Sequence, residues 1–440
     1  MTAATGAPPA GAKLAAVAID GFDDEGRGRG TANGWDIAVR GALPGDVVDA
    51  VVERSFAART LVQARCVRVL QDGGLHADRT CGHEAPCAAC PLHGVDPALV
   101  LETKRARIAG ALADAGLAAL VPDVGDVVCG SGRRQKIKLT AGGDAGALVL
   151  GMYVPHSHAL EDATACGHVE DALVDACDAV FGVLNDGGVG PDVLKAVVAR
   201  VFQEGVIVVL VTTSPLSHAW PGIEDLVHAG VLLGAAERVD ERGGNSLVGG
   251  HYHRHSGRTS GTPLLGGPLV HVDAFCQADA VAAARLVDIV CDFLVRDADK
   301  RGFFVDAYAG AGAFAQGLLS RGVAQVTAIE CAGPSMQTLQ ALPGVVAMSS
   351  TMELALSALA GPCIEGLVLD PPKKGLAAIA DDVAALHARK VALVSCDADA
   401  GARDLKCLLA HGYQVVRVFP VDLFPGSTEV EMVTLLALRR

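Results

Sequence analysis

The chain has 440 residues, 51% of them apolar, and a formal net charge of −14, so it is long enough for two or three domains with large cores. No run reaches the ~18 uninterrupted apolar residues of a membrane span, and the N-terminal segment lacks the pattern of a signal peptide. We therefore expect a cytoplasmic protein whose thirteen cysteines are reduced or bound to metal. The net charge argues against a nucleic-acid partner, although a local basic stripe can survive in an acidic protein.

Residues 1–12 are predicted to form a disordered tail, and residues 13–71 a small antiparallel barrel. Glycine turns separate four strand-like runs: KLAAVAIDGF, WDIAVRGALPGD, VVDAVVERSF and LVQARCVRVLQ. The stretch DDEGRGRGTANG between the first two is expected to be a plain hairpin turn. The alternative is a loop in which Arg27 and Arg29 contact phosphates.

A cysteine cluster, CGHEAPCAACPLHG, lies near the start of the second segment, which we place at 72–268. Cys81, Cys87 and Cys90 follow the spacing C-x5-C-x2-C. In a reducing compartment this spacing indicates a metal or an iron–sulfur cluster that still lacks one ligand. Three later cysteines are candidates for that ligand by position: Cys129, Cys166 and Cys177.

The rest of the second segment mixes helices and strands. Helical spacing of apolar residues predicts a helix over 97–117, and the glycine-rich stretch 249–267 is expected to be a loop or a domain connection. The segment GRRQKIKL is a strand with alternating basic residues, which either holds RNA or is an ordinary charged strand face. Its basic residues are Arg133, Arg134, Lys136 and Lys138.

From 269 to 440 the pattern predicts alternating helices and strands. A helix over 278–294 leads into the apolar runs FFVDA, VTAIE, GLVLD, VALVS, QVVRVF and MVTLLAL. Each of the first four ends close to an acid or a nucleophile. This is typical of a doubly wound, mostly parallel α/β sheet with its site at the carboxyl ends of the strands.

Two motifs in this segment predict a nucleoside cofactor. In DAYAGAGAFA, Asp306 ends a strand, and Gly310 and Gly312 form a tight turn into a helix whose amino terminus supplies donors. Glu330 ends the next strand about twenty residues further on, where a carboxylate accepts both ribose hydroxyls of an adenosine. Because only two glycines of the dinucleotide fingerprint are present, the pattern favours S-adenosylmethionine over NAD.

Three further motifs place reactive side chains. Asp370 precedes two prolines that fix a rigid loop in LVLDPPKKGL. Cys396 ends the next strand and is a nucleophile if a cation or the helix starting near Ala400 lowers its pKa; the alternative is a small apolar residue finishing a buried strand. Glu429 and Glu431 alternate before the last strand, so both should face one side, and one buried carboxylate would accept a proton.

Together these motifs resemble those of the RNA uracil-C5 methyltransferases, specifically the iron–sulfur-containing members that act on 23S ribosomal RNA. The resemblance extends over nearly the whole chain. Residues 13–71 resemble a TRAM domain, which is an OB-like RNA-binding barrel, and 269–440 a Rossmann-like class I S-adenosylmethionine-dependent methyltransferase domain. The segment between them is then an α+β domain with a 4Fe–4S cluster.

The resemblance also implies roles for individual residues. LDPPKKG, VSCDADAGARDL and TEVEMVTLL make Cys396 the nucleophile, Glu431 the base and Asp370 the residue that orients them. FCQAD, DAYAGAGAFA and VTAIE carry most of the cofactor contacts, which are Gln277, Tyr308, Gly310, Gly312, Ala313, Glu330 and Asp370. LGMYVPHSHALEDATAC supplies the fourth cluster ligand, so the set is Cys81, Cys87, Cys90 and Cys166.

The chain departs from the family pattern near its reactive residues. Asp397 and Ala398 follow the nucleophile in place of the usual Asn-Pro or Asp-Pro, Glu429 replaces a histidine, and Lys373 replaces an arginine. CAAC replaces a more common glycine pair, and the loop at 251–262 resembles an insertion.

The activity implied is methylation of carbon 5 of a specific uridine in 23S ribosomal RNA through a covalent bond between Cys396 and carbon 6. The protein is expected to act as a monomer, with no DNA and no membrane partner. One alternative is the same reaction on transfer RNA. Another is an exocyclic-amine methyltransferase that uses DPP and does not need Cys396. The alternative of a different class is an RNA-binding iron–sulfur protein without catalysis.

Overall fold

The computed structural model describes residues 7–77, 90–92, 94–145, 147–153, 160–164, 166–240, 251–361 and 363–439. The chain groups into two compact units. The first consists of Met1–Arg107 with Pro425–Thr428, and the second of Ile108–Phe424 with Glu429–Arg440. The finer division at 71/72 and 268/269 stays a prediction.

The first unit contains a closed five-stranded barrel, so the predicted N-terminal barrel is confirmed, but it is not wholly antiparallel, because β3 and β5 pair in parallel. Its strands pair in the order β1-β2-β3-β5-β4. Alternate side chains fill the interior, and Val17, Ile37, Val48 and Val62 are at most 1% exposed. The strands are β1 (Lys13–Phe22), β2 (Gly28–Ala32), β3 (Trp35–Arg40), β4 (Val47–Phe56) and β5 (Leu61–Gln71).

The stretch DDEGRGRGTANG is not the plain hairpin turn expected from its composition, because it contains β2, which pairs with β1 and β3. A Cβ at Gly28 or Gly30 would lie within 2.6 Å of a neighbouring carbonyl oxygen, so these strand positions require glycine. The guanidinium of Arg27 contacts Asp23 at 2.7 Å and that of Arg29 contacts Asp20 at 3.4 Å. Acids of the barrel itself therefore face both arginines.

A seven-stranded sheet forms the first half of the second unit, in the order β12-β11-β10-β9-β6-β7-β8. The runs LKAVVARVF and GVIVVLVT lie at its centre and are almost wholly buried, which explains their continuous apolar character. Helix α1 (Pro97–Asp114) precedes this sheet. The strands are β6 (Lys136–Asp144), β7 (Ala147–Tyr153), β8 (Leu160–Asp162), β9 (Leu194–Phe202), β10 (Gly205–Thr212), β11 (Gly234–Val239) and β12 (Arg254–Gly257); helices α2 (Asp171–Asp186) and α3 (Trp220–His228) pack against them.

The stretch 249–267, expected to be a loop, contains β12 and a further short strand, β13 (Ser260–Gly261), which pairs with β14 (Val270–His271). The prediction of a loop was wrong because these strands are short and lie at sheet edges. Their polar side chains face water there, so the sequence shows no alternation of apolar residues.

The second half of this unit is the predicted doubly wound α/β sheet, in the order β17-β16-β15-β18-β19-β21-β20. β21 runs antiparallel to both of its neighbours, β19 and β20. The strands are β15 (Phe303–Ala307), β16 (Val326–Glu330), β17 (Val345–Ser349), β18 (Ile364–Leu369), β19 (Lys390–Ser395), β20 (Tyr413–Val421) and β21 (Glu431–Leu438). The helices are α4 (Ala280–Val295), α5 (Ala313–Ser320), α6 (Gly333–Gln340), α7 (Met352–Leu359), α8 (Ala380–Ala384) and α9 (Ala398–Ala410).

The strand order reverses direction at β15, since the chain passes from β15 to β16 and β17 on one side and returns to β18 and β19 on the other. Successive residues of β15 supply opposite cores: Phe304 packs with α4 and α5, and Val305 with α7, α8 and α9. Ligands of such sheets bind at the carboxyl ends of the strands beside this reversal. The fold therefore places the candidate site after β15 and β18.

Among the helices in the described ranges, none combines the length and apolar character needed to cross a membrane.

Candidate active site

The turn after β15 borders a cavity of about 490 Å³. Tyr308, Gly310 and Gly312 have φ angles of +61°, +54° and +86°. Glycine adopts this left-handed conformation without strain, whereas tyrosine does so only where the surroundings impose it. Five of the predicted cofactor contacts line the cavity: Gln277, Tyr308, Gly310, Ala313 and Asp370.

Glu330 supports this turn through hydrogen bonds to its carboxylate. Its carboxylate accepts hydrogen bonds from the backbone N–H of Gly310 at 2.8 Å and from those of Cys331 and Ala332 at 2.7 Å each. These bonds fix the end of β16 to the glycine turn. The residue predicted to hold a ribose is therefore also a support of the turn.

A second carboxyl lies beneath the same turn. Asp306 is fully buried, and its Oδ2 accepts a hydrogen bond from the backbone N–H of Ala315 at 2.9 Å. Its Oδ1 has no hydrogen-bond partner among the described residues. Burial, with Asp370 and Glu330 nearby, raises the pKa of Asp306 to about 7.

Asp370 directly follows β18 and points to the cavity. Its Oδ2 accepts from Nε2 of Gln277 at 3.4 Å, which joins a predicted catalytic residue to a predicted cofactor contact. Burial raises the pKa of Asp370 to about 7. The loop after it is held by the backbone N–H of Leu376, which donates to the Asp404 carboxylate of α9 at 2.8 Å.

Cys396 is half-buried at the end of β19, the strand beside β18, so it lies next to Asp370 as predicted. Burial first, then Glu431 and Asp370, raise the pKa of its thiol to about 11, and Lys373 opposes them. The surroundings therefore raise the pKa of the thiol, whereas the prediction of a nucleophile was conditional on a lowered one. Asp397 already occupies the amino terminus of the following helix, since its side chain accepts from the N–H of Ala400 at 2.8 Å.

Glu431 is the first residue of β21 and is 3% exposed. Burial first, then Asp370 and Glu429, raise its pKa to about 8, and its Oε2 has no hydrogen-bond partner within the described ranges. Glu429, in contrast, is exposed and contacts Lys373 at 3.5 Å. The two acids, which the sequence predicted to face one side, therefore differ in burial.

The sequence did not predict that the sheet formed by β6–β12 contributes to this cavity. Arg200 of β9 lines it and is 2% exposed, and its Nη1 donates to the carbonyl oxygens of His271 and Ala274 at 3.2 Å each. Gln135 and Cys276 line it as well. The arginine inside the apolar run LKAVVARVF could have indicated this, because charged residues are rarely buried in a strand unless they have a partner or a function.

The basic segment GRRQKIKL is only partly presented to solvent. Lys138 is exposed, but the ammonium of Lys136 donates to the carbonyl oxygen of Val272 at 3.4 Å, and burial lowers its pKa. Arg133 forms an ion pair with Asp171. The alternating side chains of this strand therefore do not form one exposed basic face.

Two of the four predicted cluster ligands, Cys81 and Cys87, lie outside the described residues. Cys90 is 4% exposed, and Cys166 is half-buried against the core beneath α2. The rival candidate Cys177 lies inside that core, where burial raises the pKa of its thiol to about 12. The cluster stays a prediction.

Comparisons with known proteins show what the chain and its fold are similar to. No family model matches the chain. A protein of Listeria monocytogenes serotype 4b named an uncharacterized RNA methyltransferase is 24% identical over 96% of this chain and 97% of its own length. Another so named, from Streptococcus pyogenes serotype M18, is 30% identical, but the chain spans only 52% of its length.

Among solved structures, the tRNA (uracil-54, C5)-methyltransferase of Pyrococcus abyssi in complex with S-adenosyl-L-homocysteine superposes with a TM-score of 0.70. The match covers 96% of this chain and all of the other, at 19% identity. The protein therefore has the Rossmann-like α/β fold of S-adenosylmethionine-dependent methyltransferases, preceded by a small barrel. At this identity the likeness establishes the fold.

Proposed function

We propose that the protein is an S-adenosylmethionine-dependent RNA methyltransferase that modifies carbon 5 of a uridine. One observation carries the proposal: Asp370, Cys396 and Glu431 come together at the ends of adjacent strands beside the cavity, and both carboxyls raise the pKa of the Cys396 thiol. The names of the sequence relatives support RNA methylation, and the activity of the Pyrococcus enzyme supports uracil C5 as the position.

The cavity fits S-adenosylmethionine, which supplies the methyl group. Its volume of about 490 Å³ lies within the range of small-molecule sites. Gln277, Tyr308 and Gly310 line it, and the glycine turn leaves the backbone accessible at the amino terminus of α5. We assign the adenosine ribose to the side of Glu330 and the reactive end to the side of Asp370.

Carbon 5 of uracil is a weak nucleophile, and Cys396 overcomes this by covalent catalysis. The Cys396 thiol loses its proton to solvent, the resulting thiolate sulfur forms a bond to carbon 6, and the electron pair moves through carbon 5 to the carbonyl oxygen at carbon 4. Carbon 5 then takes the methyl group. Asp370 holds the reacting groups in position, which converts a multi-body encounter into a local reaction.

Glu431 completes the turnover. Its carboxylate removes the proton from carbon 5, and the electron pair of that C–H bond restores the double bond as the Cys396 sulfur leaves carbon 6. In its ionised form, a carboxyl with a pKa of about 8 is a stronger base than an exposed one. The uridine reaches this site only when unstacked or flipped out of its helix.

A transcript carrying 5-fluorouridine tests the proposal. Fluorine at carbon 5 cannot leave as a proton does, so the enzyme should remain joined to the methylated base. We expect a protein–RNA adduct that survives denaturing electrophoresis and forms only with S-adenosylmethionine present. Cys396→Ala should abolish both the adduct and methyl transfer.

Cys363→Ser is the matched control, because Cys363 is an exposed cysteine just before β18. This variant should form the adduct at the wild-type rate. Methyl transfer by Cys396→Ala would refute the covalent route and favour an exocyclic-amine methyltransferase. RNA binding without methyl transfer to any RNA by the wild-type protein would favour a non-catalytic role.

The RNA substrate is proposed to be 23S ribosomal RNA, on the resemblance of the cysteine and barrel motifs. The Pyrococcus structure favours transfer RNA as the second candidate, since its enzyme is named for that substrate. Mass spectrometry of both RNA classes from cells lacking the protein separates them. A missing methyl group on one uridine of 23S RNA supports the first, and a missing one in transfer RNA the second.

Two accessory features complete the proposal. Cys81, Cys87, Cys90 and Cys166 are proposed to hold a 4Fe–4S cluster that stabilises the fold around them, and the barrel is proposed to bind RNA. Cys87→Ala should lower the iron content of the isolated protein and its thermal stability. Unchanged iron content and stability would remove the cluster from the proposal.

A further inference from the structure

A cysteine, a histidine and an aspartate converge between α8 and α9, on elements that pack against each other away from the cavity. Cys407 and His411 lie four residues apart at the end of α9, so both face the same side of the helix. Asp381 reaches them from α8. The thiol of Cys407 donates to Asp381 Oδ1 at 3.1 Å, and His411 Nε2 lies 3.8 Å from the same oxygen.

The imidazole of His411 is oriented by the backbone. Its Nδ1 lies 3.1 Å from the carbonyl oxygen of Cys407. A carbonyl oxygen only accepts hydrogen bonds, so Nδ1 carries the proton and Nε2 keeps its lone pair. Histidines that bind metals are held in this way, with one ring nitrogen donating to a carbonyl or carboxylate and the other facing the ion.

We propose that Cys407, His411 and Asp381 form a binding site for a divalent zinc ion. Zinc takes sulfur, nitrogen and oxygen ligands in a tetrahedron whose edges, from its usual bond lengths, are about 3.3–3.6 Å. The two separations from Asp381 Oδ1, 3.1 and 3.8 Å, bracket these edges. The fourth position falls to water, because Asp381 is largely exposed.

The donor set selects the class of ion. One thiolate and one imidazole favour zinc over magnesium or calcium, which take oxygen ligands. Binding transfers the Cys407 proton to solvent and replaces the S–H···O hydrogen bond by bonds to the metal. The ammonium of the adjacent Lys406 is directed to the carbonyl oxygen of Ala115 at 3.2 Å, so that carbonyl holds the neighbouring positive charge.

Metal content and cobalt spectroscopy of the full-length protein test the site. After removal of loosely bound metal, titration with Co²⁺ should give a thiolate-to-cobalt absorption band. Bound zinc should fall by one equivalent in Cys407→Ser and in His411→Gln relative to wild type. Added zinc should raise Tm by roughly 2–5 °C in wild type and leave both variants unchanged.

Cys363→Ser serves again as the control, because it removes an exposed cysteine elsewhere and should keep the full zinc content. Zinc that is lost in Cys407→Ser and His411→Gln but kept in Cys363→Ser belongs to this site and not to the cysteine cluster. His411→Gln keeps the measurement valid if Cys407→Ser fails to fold. Equal zinc content in wild type and folded His411→Gln would show that the three side chains form only a hydrogen-bonded group, and the proposal would fall.

Discussion

At the scale of single residues, the candidate site is a group of acids whose burial works against folding. Asp306, Asp370 and Glu431 all have raised pKa values, because burial disfavours their charged forms and they lie near one another. Such clusters are retained where chemistry needs them. Stability and activity should therefore respond in opposite directions when one acid is neutralised.

Glu431→Gln should separate these effects. The folded-state pKa of about 8 lies above the ordinary value of 4.5, so between these values the folded protein holds a proton that the unfolded chain releases. This contribution makes the free energy of unfolding fall as pH rises through that range. The variant should be more stable at pH 8 by about 1–3 kcal/mol and lose about 10²–10⁴-fold in kcat.

Urea denaturation of both proteins at pH 5 and pH 8 measures the stability effect. The gain should be largest at pH 8 and nearly absent at pH 5. A variant that is less stable than wild type at pH 8 would contradict the view that Glu431 is a buried, strained acid.

Lys373 is the cation that opposes the raised pKa of Cys396. Lys373→Met should raise that pKa further and slow alkylation of Cys396 at pH 8.5 by about 2–5-fold. The rate is followed by mass spectrometry of the peptide that contains Cys396. Lys374→Met is the matched control, and an equal effect of both variants would argue against a specific role of Lys373.

At the scale of elements, α9 organises the catalytic end of the sheet. Asp397 caps its amino terminus directly after Cys396, and Asp404 on its buried face holds the loop that follows Asp370. One helix thus fixes the position of both the nucleophile and the orienting acid. Its far end carries the proposed zinc ligands Cys407 and His411.

The two aspartate caps of this half of the chain should differ in strength. Asp397→Ala removes one hydrogen bond at a partly exposed helix end and should cost about 1 kcal/mol. Asp279 caps α4 while fully buried, and also accepts from Ser131 Oγ and the N–H of Gly132. Asp279→Ala should therefore cost about 2–4 kcal/mol.

Chemical denaturation of the two variants under the same conditions compares these values. Equal losses would show that the links of Asp279 to the preceding loop add nothing to its role as a cap.

At the scale of the whole molecule, the chain is acidic and the substrate proposed for it is anionic, so the proposal requires binding through local positive charge. On the barrel, Arg40, Arg65 and Arg68 line a shallow surface depression, beside the exposed apolar side chains of Val67 and Val69. Arg40 and Arg68 form ion pairs with Glu53 and Asp49, whereas Arg65 has no ion pair within the described part of the chain. Among these three arginines, Arg65 is therefore the one that we propose as a phosphate contact.

Arg65→Gln should weaken RNA binding and reduce the slope of log K against log salt concentration by about 1. Arg301→Gln, a neutralised exposed arginine in the turn before β15, serves as the control and should keep the wild-type slope. Filter binding from low to moderate salt measures both. The same slope in all three proteins would exclude a phosphate contact at Arg65.

The sequence by itself determined the elements whose side chains follow a regular period. β1, β4 and β5 have the predicted bounds, as do β15 and β16, because alternation or a short apolar run between turns defines a strand locally. The positions of Cys396, Asp370 and Glu431 at strand ends were readable for the same reason. Polar or marginal strands such as β2, β12 and β17 were not, because neighbouring strands, not local pattern, hold them in place.

Only the tertiary structure decided the state of the reactive groups. Burial and charge are set by residues distant in sequence, so the sequence left open whether the pKa of the Cys396 thiol is lowered, and the structure raises it. Likewise, Glu429 is exposed while Glu431 is buried. The same holds for Asp381, which meets Cys407 and His411 only because α8 packs on α9. Periodicity specifies elements within one stretch of chain, whereas electrostatics and metal-ligand geometry depend on contacts between stretches.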